Sequence, residues 1–159
     1  ACRWGRPIPC EYVQASPALL LAYSKCHNRD VIMLIPGLRT LFSGDVIYRG
    51  RLPFLDSPET DTKRWLEGLQ SLTRIEPSPE IVIPGHGDAE TNVAKAIGLT
   101  HDYIAYVREQ MSSAVQDFVD FETAYEQADW SRYEGMPAFE ASNKGNAFRI
   151  YLELEQDQF

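Results

Sequence analysis

An apolar run, Ile81-Val82-Ile83, closes on the tetrapeptide Pro84-Gly85-His86-Gly87, and this constrains the chain more than any other feature. Upstream, Leu41-Phe42-Ser43 closes in the same way on Gly44-Asp45. A histidine and an aspartate thus each stand just past a buried strand, on a turn that contains glycine. The strand fixes the backbone, and glycine lets the turn approach a bound group closely. Imidazole and carboxylate are both ordinary zinc ligands. The two strand ends therefore point to a metal site on the edge of a sheet. Three histidines are present in all, His27, His86 and His101, and none lies in a dense ligand cluster.

The rest of the pattern supplies the elements around those two ends. Ala18 to Tyr23 and Val31 to Ile35 are continuous apolar runs of the kind found in strands covered on both faces. Pro36-Gly37 marks a turn, and Thr40-Leu41-Phe42 returns as a third strand. Residues 46 to 58, with Pro53 and Pro58, read as a loop. Trp65, Leu69 and Leu72 then fall at helical spacing, and Pro77 and Pro79 stop that helix before the Ile81–Ile83 strand. Beyond Gly87 the chain reads as helical. Ile97, Ile104, Val107, Met111, Val115 and Phe118 share one face, a short piece covers Phe121 to Ala128, and a last helix carries Ala147, Ile150, Tyr151 and Leu154. These stripes are core-packing faces. His101 lies inside the long helix at no motif position and is assigned a surface or packing role.

Composition narrows the function classes. At 159 residues, 44% hydrophobic and 24% charged, the chain is long enough for one domain with a real core. No apolar stretch approaches the ~18 residues needed to span a bilayer, so a soluble protein, cytoplasmic or periplasmic, is expected, with no membrane partner. The net charge of −8 argues against a nucleic-acid partner. No glycine-rich phosphate loop follows any strand, so nucleotide binding is not supported. Arg49-Gly50-Arg51 is the one basic cluster between the motifs, and solvation or ion pairing is its default role. Cys2, Cys10 and Cys26 form no framework spacing and are read as free or buried thiols.

The order strand, G-D, loop, helix, strand, P-G-H-G, helices resembles the second half of the metallo-β-lactamase-fold hydrolases, nearest to their glyoxalase II-like branch. Leu41-Phe42-Ser43-Gly44-Asp45 is similar to that fold's strand end whose aspartate bridges two metal ions. Ile81 to Gly87 is similar to the segment carrying its last metal-binding histidine. Arg49 to Phe54, Trp65 to Leu69, Pro137 to Glu140, Asn146-Ala147 and Tyr151 to Glu155 resemble the quinoprotein relay system zinc metallohydrolases. The resemblance spans roughly residues 18 to 157. It implies an α/β fold: the C-terminal half of an αββα sandwich with a helical C-terminal extension. Residues 1–17 would form an irregular leading segment, 18–88 the half-sandwich with the metal site, and 89–159 a helical region packed on it.

The same resemblance implies a ligand set. Asp45 would bridge two ions, zinc or else iron or manganese, and His86 would complete one of them. In that family another histidine precedes the strand leading to G-D. Cys26-His27-Asn28-Arg29-Asp30 occupies the place here, which makes His27 the third candidate ligand. Asp88 and Asn28 are candidates to orient the ligands, and Arg49 and Arg51 to meet a small-molecule substrate. No side chain beyond the ligands is implied as catalytic. The implied chemistry is hydrolysis of an ester-like, thioester, lactone or lactam bond, with metal ions acidifying the attacking water.

One departure dominates. The family signature H-x-H-x-D-H, which supplies ligands to both metals from the first half of the fold, is absent. Each ion would then keep fewer protein ligands than the three usual at catalytic zinc. Three explanations stay open. The chain, which starts at Ala1, is the C-terminal part of a full enzyme, inactive alone; or a second chain supplies the missing half; or the half-fold persists as a non-catalytic binding or scaffold domain. A half-sandwich is expected to leave one apolar sheet face for the missing half or for self-association.

Overall fold

The computed structural model describes residues 19–24, 29–55, 57–58 and 60–158. Two strands, β1 (Leu19–Ser24) and β2 (Arg29–Ile35), pair antiparallel, with Leu19 opposite Leu34 and Ser24 opposite Arg29. A single 3₁₀ turn over Pro36–Leu38 ends with Arg39 at φ 47° and reverses the chain into β3 (Thr40–Tyr48). β2 and β3 are antiparallel through Met33 and Phe42. A parallel partner for β3 needs a crossover. That crossover contains helix α1 (Thr62–Leu72), capped by the Asp61 side chain accepting from the Arg64 amide. It delivers β4 (Ile81–His86) alongside β3 and in the same direction. Among the described residues the sheet order is β1-β2-β3-β4.

Pairing fixes which side chains share a face. Leu34, Leu41 and Val82 lie in one cross-strand row and are fully buried. They join a cluster with Trp65 and Leu69 of α1 and with Ile97, Tyr103 and Ile104 of α2 (Val93–Gln116). The neighbouring row, Met33, Phe42 and Ile83, faces the other way and is only half-buried. On that same side Val31 is 56% exposed and Ile81 38%. Among the described residues the Val31–Ile35 run is thus covered on one face and not on both. The sequence runs look identical in the two cases, because an open face built from Val, Ile, Met and Phe keeps the strand continuously apolar.

Two shorter corrections concern element ends. Residues 46–48, expected in a loop, continue β3 past Asp45. Phe118, expected on the buried stripe of the long helix, lies beyond its end at φ 56° and is 81% exposed. The helix stops at Gln116, with Asp117 as its cap, and the chain turns before the apolar period reaches Phe118.

The helical part closes on the sheet through buried polar contacts. Helix α3 (Phe121–Gln127) leads to α4 (Phe139–Gln158), whose Asn146 accepts from the Leu55 amide at 2.7 Å and donates to the Pro53 carbonyl at 2.7 Å. Tyr103 donates to Asn143 and is met by the Asn146 amide, so the polar atoms of this row are paired with one another. Asn146 thereby ties α4 to the loop that leaves β3. Among the described residues no helix is long and apolar enough to cross a membrane.

Candidate metal centre

Because β3 and β4 run parallel, their C-terminal ends meet at one edge of the sheet. The register there is irregular: Gly44 pairs with Pro84, yet Tyr48 pairs with His86, so β3 holds two more residues than β4 between the two pairs. Such a bulge breaks the alternation of faces and re-aims a side chain. Asp45 turns outward, half exposed, while Val46, Ile47 and Tyr48 are buried in succession. His86, at the end of β4, is similarly open. The result is a carboxylate and an imidazole side by side, with His86 Nε2 3.5 Å from Asp45 Oδ1.

Glycine makes that approach possible. A Cβ on Gly85 would lie 2.2 Å from Asp45 Oδ1 and 2.8 Å from the Gly44 carbonyl carbon. Gly87, at φ 91°, places its Cα where a Cβ would lie 2.3 Å from the Arg49 carbonyl oxygen. Any side chain at either position would push the two strand ends apart. The Arg49 amide then donates to the His86 carbonyl at 3.0 Å, which continues the contact between the two chain segments past the strands.

Tyr48 forms the floor of the pair. Its ring stacks on the His86 imidazole, with centroids 5.0 Å apart and planes 20° from parallel. Its backbone is held by Thr100 of α2, which accepts from the Tyr48 amide at 2.8 Å and donates to its carbonyl at 3.1 Å. The phenol is pushed up to about 12, first by burial and then by the charge of Asp45 and a hydrogen bond to it; a hydrogen bond from the Phe54 backbone and the charge of Arg51 act in the opposite sense. At neutral pH the hydroxyl therefore stays protonated.

The remaining sequence candidates fall as follows. Asp88 is exposed, and its backbone carbonyl accepts from Arg49 at 2.7 Å. Arg49 itself also donates to the Ala89 carbonyl and pairs with Glu90 at 2.9 Å, so its guanidinium is engaged in closing the turn after His86. Glu90, which the sequence did not single out, anchors that turn. It accepts from the Thr91 amide and from Lys95, and these contacts hold its carboxyl below the usual range, Lys95 foremost. Arg51 lies 5.3 Å over the Phe54 ring. His101 contacts Asp102 at 3.1 Å and Gln70 at 3.4 Å on the helical surface. His27, Asn28 and the three cysteines lie outside the described residues.

Two donors about 2.0–2.2 Å from one tetrahedral zinc lie roughly 3.3–3.6 Å from each other. The Asp45–His86 spacing matches one edge of such a tetrahedron. Among the described residues no group of three His, Cys, Asp or Glu side chains could hold an ion. The pair fits part of a zinc site and does not by itself make a catalytic one, which needs a third protein donor.

No family model matches the sequence, and no curated protein does. Solved structures do resemble the fold. A metallo-beta-lactamase family protein from Thermus thermophilus superposes with a TM-score of 0.58 at 13% identity, over 89% of this chain and 44% of that one. Metallo-beta-lactamases from Erythrobacter litoralis (24% identity, 60% of this chain, 42% of that one, TM-score 0.48) and Pontibacter korlensis (21%, 55%, 41%, TM-score 0.46) match less of the chain. The likeness of fold rests on the Thermus protein. The described residues thus form a mixed α/β architecture, a small sheet with four helices, similar to part of a metallo-β-lactamase fold. The chain spans less than half the length of each of these structures.

Proposed function

We propose that this chain is the C-terminal half of a metal-dependent hydrolase, of the glyoxalase II-like kind, acting on an ester-like, thioester, lactone or lactam bond. The observation that carries the reading is the convergence of Asp45 and His86 to 3.5 Å at the ends of two parallel strands, over glycines that no other residue could replace. In this reading both side chains are metal donors, zinc being the ion that suits them and iron or manganese the alternatives, with two ions in the complete site. His27 is the third donor from this half. Further donors come from the other half of the fold, either in the same polypeptide or in a second chain. A metal ion supplies an acidified water and a charge for the developing oxyanion.

The open sheet face supports the same reading. Val31, Met33, Ile35, Phe42, Ile81 and Ile83 form an apolar face, open at Val31 and Ile81 and half-buried between them, and large open apolar surfaces mark interfaces. Its proposed occupant is the complementary half, because the Thermus structure has more than half its length without a counterpart in this chain. The alternative is a non-catalytic binding or scaffold domain. It is favoured by the lack of a third donor beside Asp45 and His86 among the described residues.

The decisive experiment combines metal analysis with turnover. The 159 residues alone are expected to bind zinc weakly and to leave an activated thioester intact. Joined to a partner segment bearing H-x-H-x-D-H, they are expected to hold stoichiometric metal and to hydrolyse the thioester in a chelator-sensitive way. Loss of that activity in Asp45→Asn and His86→Ala would agree. An assembled protein that binds no metal would overturn the hydrolase reading in favour of the scaffold.

A further inference from the structure

We propose that Tyr48 is a positioning residue of the candidate centre, its buried ring holding the plane of the His86 imidazole. The inference rests on reading Asp45 and His86 as metal donors. Both are half exposed, so nothing in simple burial limits their rotamers. An exposed imidazole and carboxylate would lose side-chain freedom on binding an ion, which weakens binding. Something that orders them beforehand removes that loss.

Tyr48 is built to do so for the imidazole. It is 3% exposed, although the imidazole stacked on it is open. Thr100 occupies both its amide and its carbonyl, so its backbone is anchored to α2 rather than to β4 at this point. The β3 bulge sends Asp45 outward and returns Tyr48 inward beneath His86. Stacking at 5.0 Å and 20° fixes the plane of the imidazole. Groups that orient metal ligands in this way commonly change metal affinity by about 10–100-fold when removed.

Two substitutions test the ring. Tyr48→Phe keeps the stack and Tyr48→Leu removes it. In the metal-free complete protein the carbon-bound protons of His86 should resonate upfield, shifted by the tyrosine ring current. Tyr48→Phe should preserve that shift and Tyr48→Leu abolish it. Zinc affinity, measured by competition with a chromogenic chelator, should stay close to the parent in Tyr48→Phe and fall about tenfold in Tyr48→Leu. A wild-type protein that binds no zinc yet shows the shifted His86 protons would remove the metal reading and leave the positioning role standing. Unshifted His86 protons in the wild type, equal zinc affinity in Tyr48→Phe and Tyr48→Leu, or an affinity loss in Tyr48→Leu with the His86 shift intact would each overturn the proposal.

Discussion

The two faces of the sheet are made of similar side chains and meet opposite surroundings. On one, Leu34, Leu41 and Val82 are sealed under α1 and α2, and the row of Tyr103, Asn143 and Asn146 behind them is hydrogen-bonded. On the other, Val31 and Ile81 stand open and Met33, Ile35, Phe42 and Ile83 are half covered. Burial of apolar area stabilises by roughly 25 cal/mol per Å², so the first face holds the chain together while the second leaves that gain unused. The contrast teaches that an apolar residue is not evidence of a core; its partner across the layer is. It also separates two roles within one sheet: stability resides on the sealed side, and the open side is where association is proposed.

The strongest test strikes the polar support of the sealed side. Glu153 of α4 accepts from the Thr62 amide at 3.0 Å, from the Thr62 hydroxyl at 2.8 Å and from Arg108 at 2.7 Å. Glu153→Ala would leave the buried Thr62 hydroxyl without its acceptor and the half-buried Arg108 without its nearest carboxylate, and should lower unfolding stability by roughly 3–5 kcal/mol in a urea titration. A loss under about 1 kcal/mol would mean the helical layer is not what holds the sealed face. Leu41→Ala follows, at about 3 kcal/mol from lost transfer and a residual cavity. The same truncation at Val31 should be much milder, and equal effects would erase the distinction between the faces.

Alkaline pH probes the sealed side without mutation. Burial raises the Tyr103 hydroxyl above its ordinary 10.0, and Tyr133 is raised for the same reason. In the unfolded chain these groups release protons near pH 10, while in the folded chain they keep them. The unfolded state then binds fewer protons, so stability is intact below about pH 10 and falls as pH rises beyond it. Urea unfolding at about pH 9 and about pH 11, on either side of that threshold, should show the decline, and Tyr103→Phe should shrink it. The smallest effect is expected on the open face. Val31→Lys should change the stability of the isolated chain by no more than about 0.5 kcal/mol. It should nonetheless impair association with a complementary half, measured by analytical ultracentrifugation of the mixture. A variant that associates like the parent would remove the open face as the docking surface.

Much of this architecture was legible in the sequence, and the reasons for the gaps are physical. Gly44-Asp45 and Gly85-His86 announced two strand ends because glycine beside a polar ligand type is a local signal. The helical stripe of Trp65, Leu69 and Leu72 was equally local and lies buried as its spacing implies. The extension of β3 to Tyr48 was hidden because a bulge breaks the period of two on which strand reading depends. The place of Tyr48 beneath His86 was hidden with it. The roles of Glu90 and Asn146 were hidden for another reason: their partners, Arg49 and the 53–55 loop, lie 41 and 91–93 residues away, and only the folded chain brings them together.

The contact of Glu153 with α1 bears on how the chain comes to be folded as it is made. The first turn of a helix leaves amides without partners, and here those of Thr62 and Lys63 find theirs on a carboxylate 91 and 90 residues later. During synthesis from the amino end, α1 and the strands it bridges therefore emerge well before the group that finishes them. Until Glu153 leaves the ribosome the amides of Thr62 and Lys63 can only be hydrated, with Asp61 capping the Arg64 amide alone. Completion of the crossover is thus timed by the arrival of the last helix, and a ribosome stalled short of Glu153 would hold a chain whose sheet is laid out but not yet locked.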